Sequence, residues 1–205
     1  MTKEVKSALD QGINDYYLKT FEGLDLSGQA LEGIEFEACS FVRCDFSGAS
    51  LRQVRLIECS FEDCVLNGVQ LPSSKLRGVT FERCRIADVN WTVLEWSRLS
   101  TSAELTFRDC ILTDSIFQGL ALNELVMQSC KARGVDFRDT KLRKADLSFT
   151  DFSDALFART DLTDADFTEA TGFNIDVLNN VMTRSKFSRY EAARLLAGLD
   201  IEVVD

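Results

Sequence analysis

Residues 36–66 read FEACS-FVRCD-FSGAS-LRQVR-LIECS-FEDCV-L, a run in which every fifth residue is large and apolar. The same phase extends both ways: Phe21, Leu26, Leu31, Phe36, Phe41, Phe46, Leu51, Leu56, Phe61, Leu66, Leu71, Leu76, Phe81, Ile86, Trp91 and Trp96. After a slip of one residue it resumes as Phe107, Leu112, Phe117, Leu122, Met127, Ala132, Phe137, Leu142, Leu147, Phe152, Phe157, Leu162 and Phe167. A repeat of this length fixes the architecture before any local propensity does. Residues five apart scatter around a helix and fall on opposite faces of a strand. The pattern therefore requires a corner in every repeat, each corner re-aiming the next large residue toward a common axis.

The flanking positions agree. Two places before the large central residue stand Cys39, Cys44, Ala49, Val54, Cys59, Cys64 and Val69, on the same inward face of an extended segment. All seven cysteines of the chain (39, 44, 59, 64, 84, 110 and 130) occupy this position, which marks them as small core residues. No Cys-x-x-Cys spacing suggests zinc. Two places after the centre stand eight of the 11 glycines, where a tight corner needs permissive backbone. Trp91 and Trp96, just before the slip, read as fillers of extra volume. The slip between 97 and 106 reads as a one-residue bulge or loop. Pro72 shapes a corner and leaves the Leu71–Pro72 bond open between cis and trans.

Units such as Lys144-Ala145-Asp146-Leu147-Ser148 and Asp164-Ala165-Asp166-Phe167-Thr168 resemble the pentapeptide-repeat family. The resemblance implies an all-β, right-handed quadrilateral β-helix with four pentapeptides per coil. It covers residues 21–172, and the 29 centres imply about seven coils. Residues 1–20 form an N-terminal cap or tail, with Lys3 to Gln11 reading as a short helix. Residues 173–205 form a C-terminal segment. In it, Ser188 and Glu191 have capping-box spacing, ahead of a short helix at about 189–197 that ends at Gly198. Ile201, Val203 and Val204 suggest a final strand. An intramolecular cap and a two-fold dimer are both compatible with this tail.

The chain carries 33 acidic and 23 basic residues, a formal charge of -10, and no histidine. A general nucleic-acid binder would be basic, so direct nucleic-acid binding is not expected, whereas a basic protein surface would attract this chain. Without histidine, a glycine-rich phosphate loop or metal spacing, an enzyme is not expected, and no cofactor is implied. The N-terminus shows no signal peptide and no apolar run is long enough to span a bilayer, so a soluble cytoplasmic protein without membrane contact is expected.

Asp146, Asp151, Asp154, Asp161, Asp164, Asp166 and Glu169 lie between positions 145 and 170, where Arg159 is the one base. Asp146 and Asp166 are one coil apart and should share a column. Val89 to Trp96, Phe107 to Asp114 and the tail from Glu191 are similar to the Qnr-, MfpA- and albicidin-resistance-like branch of the family. This branch binds type II topoisomerases as DNA mimics. The resemblance implies DNA gyrase as partner, topoisomerase IV as a second, and the seven acids as the surface they meet. It further implies a homodimer through Tyr190, Ala193, Leu196, Leu199, Ile201 and Val203. Protection against an albicidin-like poison is favoured over quinolone protection, because no insertion longer than one residue is visible between 21 and 172. The alternative function is a non-catalytic structural or scaffolding solenoid with another protein partner.

Overall fold

A corner after every fifth residue closes the chain on itself after four steps, and the pairing shows this directly. Asp15–Tyr17 pairs in parallel with Glu35–Glu37, which pairs with Arg55–Ile57, which pairs with Lys75–Arg77. Thr20–Glu22, Ser40–Val42, Ser60–Glu62 and Val79–Glu82 form the next face in the same register, and Ala30–Glu32 pairs with Ser50–Arg52 on another. Each step along a face is 20 residues, or four pentapeptides. The computed structural model describes Leu9 and residues 12–96 and 102–199, and these form one all-β solenoid. The expected N-terminal helix and final strand lie outside the described residues, apart from Leu9.

We number the faces by their inward residues. Face 1 begins with Tyr16, face 2 with Phe21, face 3 with Leu26 and face 4 with Leu31. On face 2 the stack runs Phe21, Phe41, Phe61, Phe81, Phe107, Met127, Leu147, Phe167, Phe187. That is eight turns, one more than the repeat count implies. The difference arises at the C-terminal end. There Val181 bridges to Asp161, and Lys186–Phe187 pairs with Asp166–Phe167, although residues 173–176 break the five-residue pattern.

The interior is a set of apolar columns. Phe41 and Phe61 stack with ring centroids 4.7 Å apart, and Phe46 meets Phe61 edge-on at 5.7 Å. Both arrangements suit the aromatic quadrupole. The corners have one backbone solution. Every glycine two places after a centre has a positive φ, such as Gly48 at 62°. So do 22 non-glycine residues, with φ from 47° to 61°, most of them polar. Glycine is thus the comfortable occupant of a left-handed position that this fold imposes on all residue types.

The residue two places before each centre contributes more than small size. Where it carries a donor, that donor reaches the carbonyl of an inward residue one coil back. The Cys44, Cys64 and Cys130 thiols donate to the carbonyls of Phe21, Phe41 and Phe107. The Thr150 and Thr160 hydroxyls do the same to Met127 at 2.8 Å and Phe137 at 2.9 Å. All seven cysteines are free and buried. Contact with Cys110 pushes the Cys84 thiol up to about 12, and burial pushes Cys59 up to about 11, so these thiols stay protonated donors.

The frame slip is larger than one residue. Val79 pairs with Leu105, Arg85 with Ile111 and Asn90 with Ile116, each 26 residues apart. This coil is six residues longer than its neighbours. The step from Trp96 to Phe107 is two pentapeptides plus one residue, and a five-residue period cannot say whether a pentapeptide forms a face or leaves the coil. Faces 2, 3 and 4 stay in register, and face 1 absorbs the excess. Trp91 remains a core residue, stacked on Phe117 at 5.4 Å, while half-buried Trp96 donates its indole N–H to the Trp91 carbonyl at 2.9 Å. A cleft of about 490 Å³ opens there, lined by Leu76, Leu94, Trp96 and Leu120 among others. The bond before Pro72 is trans.

The C-terminal helix is a 3-10 helix, Glu191–Leu199, and the capping box does not form. The Ser188 hydroxyl accepts from the Glu169 amide at 2.7 Å and donates to the Glu169 carboxylate at 2.8 Å, while Glu191 pairs with Arg194 at 2.6 Å. The open edge of the preceding coil outcompetes the helix terminus for the hydroxyl. Leu195 packs against the core, closing part of that edge.

The donor columns give a direct test. Thr160→Val keeps the shape but removes the second hydrogen bond to the Phe137 carbonyl, so it should cost about 1 kcal/mol in urea unfolding, whereas Thr160→Ser should cost less.

Candidate partner-binding surface

The residue just before each centre points outward, because neighbours on an extended segment alternate. Where it is aspartate, it has a local task. Asp146 Oδ1 accepts the Ser148 amide at 3.1 Å and the Ser148 hydroxyl at 2.6 Å. Asp151 does so with Ser153 at 3.0 and 2.6 Å, Asp161 with Thr163 at 3.0 and 2.6 Å, and Asp166 with Thr168 at 2.9 and 2.5 Å. Aspartate followed two places later by serine or threonine therefore shapes the corner. One carboxylate oxygen is spent on this, and the other faces away from the turn.

The seven acids form a band around the rod rather than one patch. Asp146 and Asp166 bridge to each other on face 2. Asp151 lies on face 3, bridged to Lys131 and Thr171, and Asp161 lies on face 1, bridged to Lys141 and Val181. Asp154, Asp164 and Glu169 occupy left-handed corners with φ of 61°, 59° and 56°. The expected column of Asp146 and Asp166 is present, and Lys186 follows them in it.

Four of the seven carry a cation from a neighbouring coil. Arg133 reaches Asp151 at 2.6 Å, Arg143 reaches Asp161 at 3.3 Å and Lys186 reaches Asp166 at 3.1 Å. Arg184 holds Asp164 through two bonds of 2.5 and 2.7 Å. Counting charges within 145–170 misses these bases, since a residue's neighbours lie 18 to 20 positions away. Adding 20 to Asp164 and Asp166 finds Arg184 and Lys186, so the signal was present in the repeat itself. Among the described residues, Asp146, Asp154 and Glu169 have no basic partner within ion-pair distance.

The pairs leave an electrostatic trace. The Arg184 guanidinium holds the Asp164 carboxyl below its usual range, and Arg159 does the same to Asp139. For Asp161, burial opposes ionisation, but hydrogen bonds from Thr163 and the charge of Arg143 outweigh it. Asp151 and Asp166 follow the same pattern.

The C-terminal candidates are less gathered. Tyr190 is 91% exposed, Ala193 and Leu199 are exposed and Leu196 is half-buried. Ile201 and Val203 lie outside the described residues. Leu178 and Val181 add exposed apolar area on the last coil. Among the described residues no group of acidic or cysteine side chains is placed to hold a metal, and no helix is long and apolar enough to cross a membrane.

A family model described as pentapeptide repeat region matches residues 34–102 and 102–167. Solved structures of QnrB1, a plasmid-mediated fluoroquinolone resistance protein, share the fold. One trypsin-treated variant aligns with TM-score 0.62 over 93% of this chain and 92% of that one, at 22% identity. A second gives 0.63 over 93% and 100% at 17% identity. The full-length form gives 0.51 over 91% and 100% at 18% identity. No curated protein sequence matches the chain.

A carboxyl with a lower pKa folded than unfolded stabilises the fold above its unfolded value of about 3.9, and the contribution is lost as pH falls through the folded value. The urea midpoint should thus hold from about pH 7 to 5 and fall below about pH 4. Asp164→Asn, which suits the left-handed corner, should make the acid limb shallower.

Proposed function

This chain belongs to the pentapeptide-repeat family, and on that premise we propose that it binds DNA gyrase as a non-catalytic mimic of DNA and protects it from an inhibitor. The observation that carries the reading is the solenoid's band of carboxylates. Asp146, Asp154 and Glu169 lack a basic partner within the described protein, on a chain of charge -10. A surface built to hold DNA is basic, and it attracts such a rod by the same complementarity it uses for phosphates. The extent of the alignment with QnrB1 supports it, as does the likeness of the segments around Trp91 and Phe107 to the topoisomerase-binding branch. Topoisomerase IV, whose basic DNA groove would exert the same attraction, is the second target.

The protective effect is directed at an albicidin-like poison or a quinolone. The six-residue insertion at the long coil removes one argument against quinolones, since the coils are less uniform than the repeat suggested. Cleavage assays with both compounds side by side decide between them.

The structure also selects the variants. Neutralising Asp161 or Asp166 would break an ion pair that joins adjacent coils, and so confound binding with folding. Asp146→Asn/Asp154→Asn/Glu169→Gln removes three charges that have no basic partner, and each amide keeps an oxygen to accept the bonds from Ser148 and Ser188. It should weaken inhibition of gyrase supercoiling by about tenfold or more while leaving the melting midpoint near that of the parent. Unchanged inhibition would sink the electrostatic mechanism.

We further propose a homodimer through the C-terminal segment, supported by the exposure of Tyr190, Leu199, Leu178 and Val181 at one end of the solenoid. Light scattering should give twice the chain mass, and Leu199→Glu with Leu178→Glu should return it to one.

A further inference from the structure

The left-handed corners are occupied by glycine, by polar residues or by Ala38, with two exceptions: Leu18 and Phe149 are the large apolar side chains among them. Phe149 has φ 58° and is 56% exposed. Neither its backbone nor its ring benefits the fold in the usual way. A β-carbon disfavours this conformation relative to the right-handed form. The ring meanwhile leaves much of its area in water, outside the aromatic contacts that build the core. A strained, exposed aromatic residue on an otherwise regular scaffold is a mark of a recognition point.

Its surroundings say what kind of partner it meets. Phe149 follows Asp146 by three residues and precedes Asp151 by two. Its amide donates to the Thr168 carbonyl at 3.0 Å, which sets it one coil from Glu169 in the same corner column. Asp146 and Glu169 are two of the three acids in the band without a basic partner. Acids without a basic partner thus precede Phe149 on its own coil and follow it in the corner column, while Asp151, two places on, is paired with Arg133. Nucleic acid and anionic membrane would be repelled there. A basic protein surface with an apolar recess would gain both charge complementarity and a desolvated aromatic anchor. Leu18 lies on the first coil, one coil from Ala38 in its corner column, and does not carry the same argument.

We propose that Phe149 is the apolar anchor of the acidic surface, inserting into a basic partner between the carboxylates of Asp146 and Glu169. This rests on the gyrase-binding reading and adds to it a specific contact that charge alone does not supply. The anchor makes the interaction selective for a shaped protein site, because bulk charge complementarity would tolerate any residue at this corner.

The test uses Phe149→Gly and Phe149→Asn, both suited to a left-handed corner, with the full-length protein and purified DNA gyrase. Melting midpoints report on folding and biolayer interferometry on binding. The midpoints should equal or exceed that of the parent, while affinity for gyrase falls by about tenfold or more. Affinity equal to the parent's in both variants overturns the anchor and leaves the gyrase reading standing. If the parent itself does not bind gyrase, both fail together.

Discussion

The constraint on which everything else depends is the parallel backbone ladder between successive coils. Leu26 donates to the Asp45 carbonyl at 2.7 Å, Phe46 to Val65 at 2.7 Å and Leu66 to Arg85 at 2.7 Å, and the series continues along the axis. These bonds satisfy backbone groups that would otherwise be buried without partners. They also fix the register, so that each inward residue rests on its counterpart one coil away. Contacts become nearly one-dimensional: a coil meets the coil above and the coil below. Aromatic columns, side-chain donor columns and ion pairs are all consequences of that single geometric rule.

The long coil shows how the rule accommodates an irregularity. Six extra residues enter, yet Phe81 and Phe107 still stack at 5.2 Å and Trp91 still lies on Phe117. The excess falls on face 1, where half-buried Trp96 packs against the core and donates to the Trp91 carbonyl. Register survives on three faces because losing it would unpair every coil beyond. Lengthening one coil costs comparatively little, since closure entropy grows slowly with length.

The surface electrostatics divide into two jobs. Paired acids such as Asp164 with Arg184 and Asp139 with Arg159 tie adjacent coils together, each contributing modestly because they are exposed. Acids without a basic partner are the ones available to another molecule. The net charge of the chain says only that a basic partner is favoured. Which carboxylates are free for it follows from where each cation lands on the next coil, and the exposed Phe149 ring beside two of them adds shape to charge.

The sequence by itself determined the solenoid, the inward residues and the corners, because a five-residue period admits one way of burying every fifth side chain. It placed all seven cysteines in the core and set Asp146 over Asp166 from index arithmetic alone. Tertiary structure decided what depends on which residues meet across coils. It made the cysteines and threonines donors to inward carbonyls, gave Asp151, Asp161, Asp164 and Asp166 their cations, and turned Ser188 from a helix cap into a partner of Glu169. It also added a turn at the C-terminal end, where residues with no five-residue pattern still pair with the ladder. The physical reason is common to all of these. A repeat specifies direction, inward or outward, whereas a side chain's partner depends on how many residues the chain spends returning to the same face. That number is 20 almost everywhere and 26 once.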